Sequence, residues 1–134
     1  MSLIITLAVT DIDRSEYFYR DILQLPVKRF TAQGSSNPAL LISHGDTSIL
    51  LREAQVLEAH HPAAFQHLER QSRGVGVSFD FQIDNLALVQ RVIERQQLSC
   101  LYELEDQEHG FRELWLYDPD HYLIILTQVD NPDR

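Results

Sequence analysis

Residues 75–98 read "VGVSFDFQIDNLALVQRVIERQQL". The first part alternates. Val77, Phe79, Phe81 and Ile83 fall on one side of an extended chain and Ser78, Asp80 and Gln82 on the other, the period of a half-buried strand. The second part changes period. Leu86, Val89, Val92 and Ile93 share one side of a helix, and Asp84 stands at its expected cap. Downstream, "SCLYELE", "FRELWLY" and "YLIILTQ" have strand composition. The order from Val75 onward is therefore βαβββ.

The same order stands upstream. "LIITLAV" (3–9) is an apolar, strand-like run. "TDIDRSEYFYRDILQL" (10–25) reads as a helix that opens on Asp13 and Glu16, spaced as in a capping box, and stops before Pro26. "VKRFTAQ", "ALLIS" and "TSILLRE" read as three short strands, parted by "GSSNP" and "HGD" turns. Between the halves, "AQVLEAHHPAAFQHLERQSRG" (54–74) lacks strand alternation. Pro62 suits the start of a short helix there, with Gly74 beyond its end. The expectation is an α+β protein of two βαβββ modules: module 1 over about 1–58, a connecting helix over about 59–73, and module 2 over about 74–130. Residue identities barely repeat, but the order of elements does.

Composition excludes several classes. The chain has 134 residues, 44% hydrophobic and 23% charged, ordinary for a globular domain. The net charge of −9 and a longest basic run of Lys28-Arg29 leave no basic patch for nucleic acid. No apolar run approaches the ~20 residues of a membrane span. No basic-then-apolar leader opens the sequence, and the lone Cys100 builds no disulfide framework, so a reducing cytoplasm is the expectation.

Two motifs carry a family resemblance. "VTDIDRSEYFYRDILQLPV" (9–27) resembles the opening signature of the vicinal oxygen chelate superfamily, which includes glyoxalase I, extradiol dioxygenases, fosfomycin-resistance transferases and bleomycin-binding resistance proteins. "FRELWLYDPDHYLIILTQ" (111–128) resembles its closing signature. The resemblance implies curled mixed sheets that form a cleft between modules, completed in a homodimer. In the family's metal enzymes it also implies a His in the first strand of a module and a Glu in its last. Here those positions carry Ile4, Leu50, Ser78 and Ile125. Transition metals want imidazole, carboxylate or thiolate, so no metal and no other cofactor is expected. The six histidines offer no substitute set: His60 and His67 are seven residues apart, His109 and His121 flank opposite ends of a strand, and His44 sits at a turn.

By the family register the inner faces hold Ile4, Thr6, Ala8, Ser48, Leu50 and Arg52 in module 1. In module 2 they hold Ser78, Asp80, Gln82, Glu113, Trp115, Tyr117, Leu123, Ile125 and Thr127. From these, Ser78, Asp80, Glu113, Trp115, Tyr117, Arg52 and Ile125 are the candidate ligand-binding residues. Trp115 and Tyr117 provide stacking surface, Asp80 and Glu113 favour a cation, and Arg52 suits an anionic group. The expected function is a metal-free small-molecule-binding protein of the glyoxalase/bleomycin-resistance type that takes an aromatic or cationic ligand in the cleft between modules. The alternative is an enzyme of lyase, isomerase or dioxygenase type, with a non-standard metal site or acid/base work by Glu113 or Asp80. No catalytic residue is assigned. The plain alternative for both acids is pairing with Arg52, Arg112 or water.

Overall fold

The computed structural model describes residues 1–31 and 36–129. The last two residues of the expected strand "VKRFTAQ", Gly34 and Ser35 of the turn after it, and position 130 lie outside the described residues. The chain divides into two compact units, Met1–Arg73 and Gly74–Arg134.

In the first unit, β1 (Leu3–Val9), β2 (Val27–Thr31), β3 (Pro38–His44) and β4 (Thr47–Glu53) form a sheet of order β1-β4-β3-β2. The β1/β4 pair is parallel and the other two are antiparallel. Leu7, Val9, Leu40, Ile42, Ile49 and Leu51 are buried on one face. Helix α1 (Ile12–Glu16) lies against β3 and β4 and runs on into a π-helical turn over Tyr17–Ile22. The wider turn brings Phe18, Tyr19, Ile22 and Leu23 into the core together. The cap of α1 is Asp11, not Asp13: its carboxylate accepts from the N–H of Asp13 at 2.9 Å and of Arg14 at 3.4 Å. Asp13 and Glu16 instead grip Arg29 of β2, at 2.7 and 3.1 Å. Those bonds, Asp13 first, hold the guanidinium above its ordinary pKa.

The helix expected after Pro62 forms before it. Helix α2 is Ala54–His60, and only a 3-10 turn, Leu68–Arg70, follows. Proline lacks the N–H to continue the helix, and His67 takes a left-handed φ of 59°, so His60 and His67 do not share a helical face. Helix α2 lies against β4 and β1, where Ala8, Ala54 and Leu57 pack with Phe65 and Leu68. Arg73 donates to Thr10 at 2.9 Å, tying the end of this segment to the residue just after β1.

The second unit repeats the topology. β5 (Ser78–Gln82), β6 (Tyr102–Asp106), β7 (Phe111–Tyr117) and β8 (Leu123–Val129) form a sheet of order β5-β8-β7-β6. The β5/β8 pair is parallel and the others antiparallel. Helix α3 (Leu86–Arg95) lies on β8 and buries Leu86, Val89 and Ile93. Its cap is Asn85 rather than Asp84, accepting from Leu88 N–H at 3.3 Å, while Gln128 of β8 accepts from Leu86 N–H. Asp84 stands one residue too early to reach the first free N–H groups. The core beneath α3 is Phe79, Leu114, Leu116, Ile124 and Leu126.

The turn 118–122 locks β7 to β8. Buried Asp118 accepts from the N–H of Asp120 at 2.8 Å and of Tyr122 at 2.9 Å. Gly74 packs directly beneath it. With φ +74°, a Cβ there would lie 2.6 Å from the His121 carbonyl oxygen. Only glycine fits both conditions.

Both sheets are open, mixed and four-stranded with helices beside them, the α+β two-module architecture expected.

Candidate functional site

Residues alternate across a strand, so the face of the second sheet turned away from α3 follows from the register. Arg112 marks the α3 side by donating to Gln90 at 2.7 Å. The opposite side carries Ser78 and Asp80 of β5, Leu123, Ile125 and Thr127 of β8, Glu113, Trp115 and Tyr117 of β7, and Tyr102 of β6. Pairing sets these in rows. Asp80 stands beside Ile125, Ile125 beside Trp115, and Trp115 beside Tyr102. Thr127 stands beside Glu113, and Leu123 lies between Ser78 and Tyr117. Six of the seven sequence candidates, all but Arg52, therefore share one face of one sheet.

The two acids keep local partners. Thr127 donates its hydroxyl to Asp80 Oδ1 at 2.8 Å. Trp115 donates its indole N–H to Glu113 Oε2 at 3.0 Å, along the same strand. Arg112 lies on the other face, so it is not the counter-ion expected for either acid. The aromatic arrangement also differs from the Trp115–Tyr117 pair expected. Trp115 meets Tyr102 edge to face, with ring centroids 5.5 Å apart and planes at 84°. Tyr117 stacks on His121 at 5.2 Å. The strand "SCLYELE" offers no clear alternation, so its sequence does not assign Tyr102 to a face. Its place comes from the pairing with Trp115. Thr127 had the right parity, but its bond to Asp80 depends on the parallel register of β5 and β8.

Arg52 lies on β4, in the first unit, beside Ala8 of β1. Ile4 is 65 % exposed on β1, and Leu50 lies beside Thr6 and Leu41. Ile125 is only 9 % exposed. Ile4, Leu50 and Ile125 carry no donor atom, and Ser78 brings a neutral hydroxyl. That set does not fit a transition metal. Among the described residues, no three of His, Cys, Asp and Glu come together to hold a metal ion. The nearest approach to such chemistry is a pair: His109 Nδ1 lies 2.7 Å from Asp106 Oδ2, and this bond pulls the Asp106 carboxyl below its usual pKa. Cys100 moves the other way. Burial, then Glu103 and Glu94, raise its thiol pKa and make it a poorer nucleophile at neutral pH.

No helix among the described residues is long and apolar enough to cross a membrane. The family model for a glyoxalase-like domain matches residues 1–129. No curated protein matches the chain. Solved structures with the same fold include a lactoylglutathione lyase from Agrobacterium tumefaciens, at 17% identity and TM-score 0.61, covering 96% of this chain and 92% of that one. A glyoxalase/bleomycin resistance protein from Streptomyces sp. CB03234 is similar at 13% identity and TM-score 0.63, covering 96% and 100%. A genomically encoded fosfomycin resistance protein from Listeria monocytogenes is similar at 19% identity and TM-score 0.62, covering 96% and 92%. At these identities the likeness speaks for the fold. The match over nearly the full length, with two mixed βαβββ sheets in the expected order, makes the chain a member of the glyoxalase-like domain family, within the vicinal oxygen chelate superfamily.

Proposed function

We propose that this protein binds a small organic molecule and does so without the family's standard metal site, its ligand aromatic or cationic. One observation carries the reading. The second sheet gathers Asp80, Glu113, Trp115 and Tyr117 on a single face, around Ile125, the position at which the family resemblance implies a carboxylate in metal enzymes. A sheet face built only to be solvated has no need of a tryptophan and a tyrosine beside hydrogen-bonded acids. On the same reading, residues 1–134 act as one glyoxalase-like domain, as a homodimer in the cytoplasm, with module 1 over about 1–58, a connecting segment over about 59–73 and module 2 over about 74–130.

The test has two measurements. The metal content of tag-free protein, grown with mixed trace metals, is expected to be far below stoichiometric. Stoichiometric metal would overturn the reading of Ile4, Leu50, Ser78 and Ile125. Trp115 is the single tryptophan, so its fluorescence reports on this face alone. A screen of planar and cationic compounds is expected to shift it saturably. Sedimentation at micromolar concentration checks the dimer.

The second reading is an enzyme of lyase, isomerase or dioxygenase type. Two carboxylates on one face, each steadied by a neighbour's hydrogen bond, favour it, because a general base must be held in place. Turnover abolished by Asp80→Asn or Glu113→Gln, with the fold unchanged, would put this reading first.

A further inference from the structure

We infer that the ligand of this face is a planar organic cation, and that Tyr102, on the edge strand β6, is part of its site. The inference rests on the reading of this face as the ligand site.

Three observations converge. The first is the aromatic corner. Tyr102 stands beside Trp115 in the β6/β7 register with its ring perpendicular to the indole, centroids 5.5 Å apart, yet it is 57 % exposed. An edge-to-face pair that serves only packing puts its surface away from water; this one leaves Tyr102 more than half open at the sheet's margin. The second is how the indole is oriented. Its positive edge, the N–H, is committed to Glu113 Oε2 at 3.0 Å. What remains for a ligand is the electron-rich ring face, and the carboxylate at the far end of the bond makes it richer. The third is charge. The strand positions on this side of the sheet include Asp80, Glu113 and Asp106 and no lysine or arginine, while Arg112 is turned to Gln90 on the opposite side. Asp80 is steadied by Thr127, so its charge stays in the row of Ile125 and Trp115. An anion gains nothing here. A neutral ring gains stacking alone. A ring that carries a positive charge gains stacking, the quadrupoles of two aromatic rings, and two fixed carboxylates.

Two probes of nearly the same shape test this: N-methylquinolinium, a permanent cation, and quinoline, neutral at neutral pH. Both are titrated calorimetrically into the wild-type protein. The cation is expected to bind about tenfold more tightly, with an affinity that falls as salt is added. Tyr102→Ala is expected to lose about 3- to 30-fold for the cation, and Tyr102→Phe to retain binding. Tyr102 lies exposed at a sheet edge, so the variants should keep the wild-type melting curve. Glu113→Gln gives an independent check and should narrow the gap between the two probes. Equal affinity for both probes, with each abolished in Trp115→Ala, would refute the cation and leave the ligand face standing. No binding of either probe would remove both readings. A cation preference that Tyr102→Ala leaves unchanged would exclude Tyr102.

Discussion

In the first module, the sheet face turned away from α1 carries Lys28, Leu50 and Arg52, and its end at Ala8 is packed under α2, Phe65 and Leu68. In the second module, the matching face carries Asp80, Glu113, Trp115 and Tyr102. The strand order is the same in both, β1-β4-β3-β2 and β5-β8-β7-β6. One copy of the motif uses its second face partly for packing and gives it basic side chains. The other gives it acids and aromatic rings. Topology is therefore neutral about function here; the side chains at alternate positions carry it.

The comparison can be broken most forcefully in the cores. Leu51 and Leu126 are both fully buried, at equivalent depth in their sheets. Leu51→Ala and Leu126→Ala should each cost about 2–5 kcal/mol. Hydrogen exchange should show protection falling first in the substituted unit. Equal loss in both units from either change would mean that the modules unfold only together. Next come the glycines. Gly74→Ala combines a left-handed φ with a Cβ 2.6 Å from a carbonyl oxygen, whereas Gly45, at φ +59°, has nothing within 4 Å. Gly45→Ala should cost about 1–2 kcal/mol from backbone strain alone, and Gly74→Ala clearly more, by urea denaturation.

The charge contrast sharpens at the level of binding. Asp80→Asn should weaken N-methylquinolinium about 3- to 10-fold, and Arg52→Gln by less than about twofold. Equal effects would dissolve the contrast between the faces. The helix caps differ more gently. Asp11 serves two N–H groups and Asn85 one, with Gln128 helping at the second helix. Asp11→Ala should cost about 1–2 kcal/mol and Asn85→Ala about 0.5–1, by thermal melting. The smallest effect is at Asp106, the last residue of β6. Its folded pKa is lowered, first by the side-chain bond to His109. The bond therefore adds stability above the ordinary Asp pKa of about 3.9, and that stability is lost as pH falls through the lower folded value. The Asp106 carboxyl carbon shift, followed by NMR, should titrate below that of a free aspartate, and His109→Ala should return it.

Much of this was legible in the residues. The strands Leu3–Val9, Thr47–Glu53 and Phe111–Tyr117 lie where strand-rich apolar composition between turn signals put them, because those signals are local. The amphipathic α3 is equally local. The caps moved by one or two residues because Asp11 competes with Asp13, and Asn85 with Asp84. Which oxygen reaches a free N–H depends on backbone angles that composition does not encode. Helix α2 ends before Pro62 because proline cannot continue it, but that the helix forms there at all depends on the apolar surface it covers, around Ala8, on a strand about fifty residues earlier.

By itself the sequence determined the repeat, the alternation within each strand that sets Glu113 with Trp115 and Tyr117, and Asp80 with Ser78, and the absence of side-chain donor atoms at Ile4, Leu50 and Ile125, since all three depend only on residue type and local period. Only the tertiary structure decided that Thr127 holds Asp80, that Trp115 is turned onto Glu113, and that Tyr102 rather than Tyr117 meets the indole. Those contacts depend on inter-strand register, which is set by hydrogen bonds between segments distant in the chain and leaves no periodic trace in any one of them.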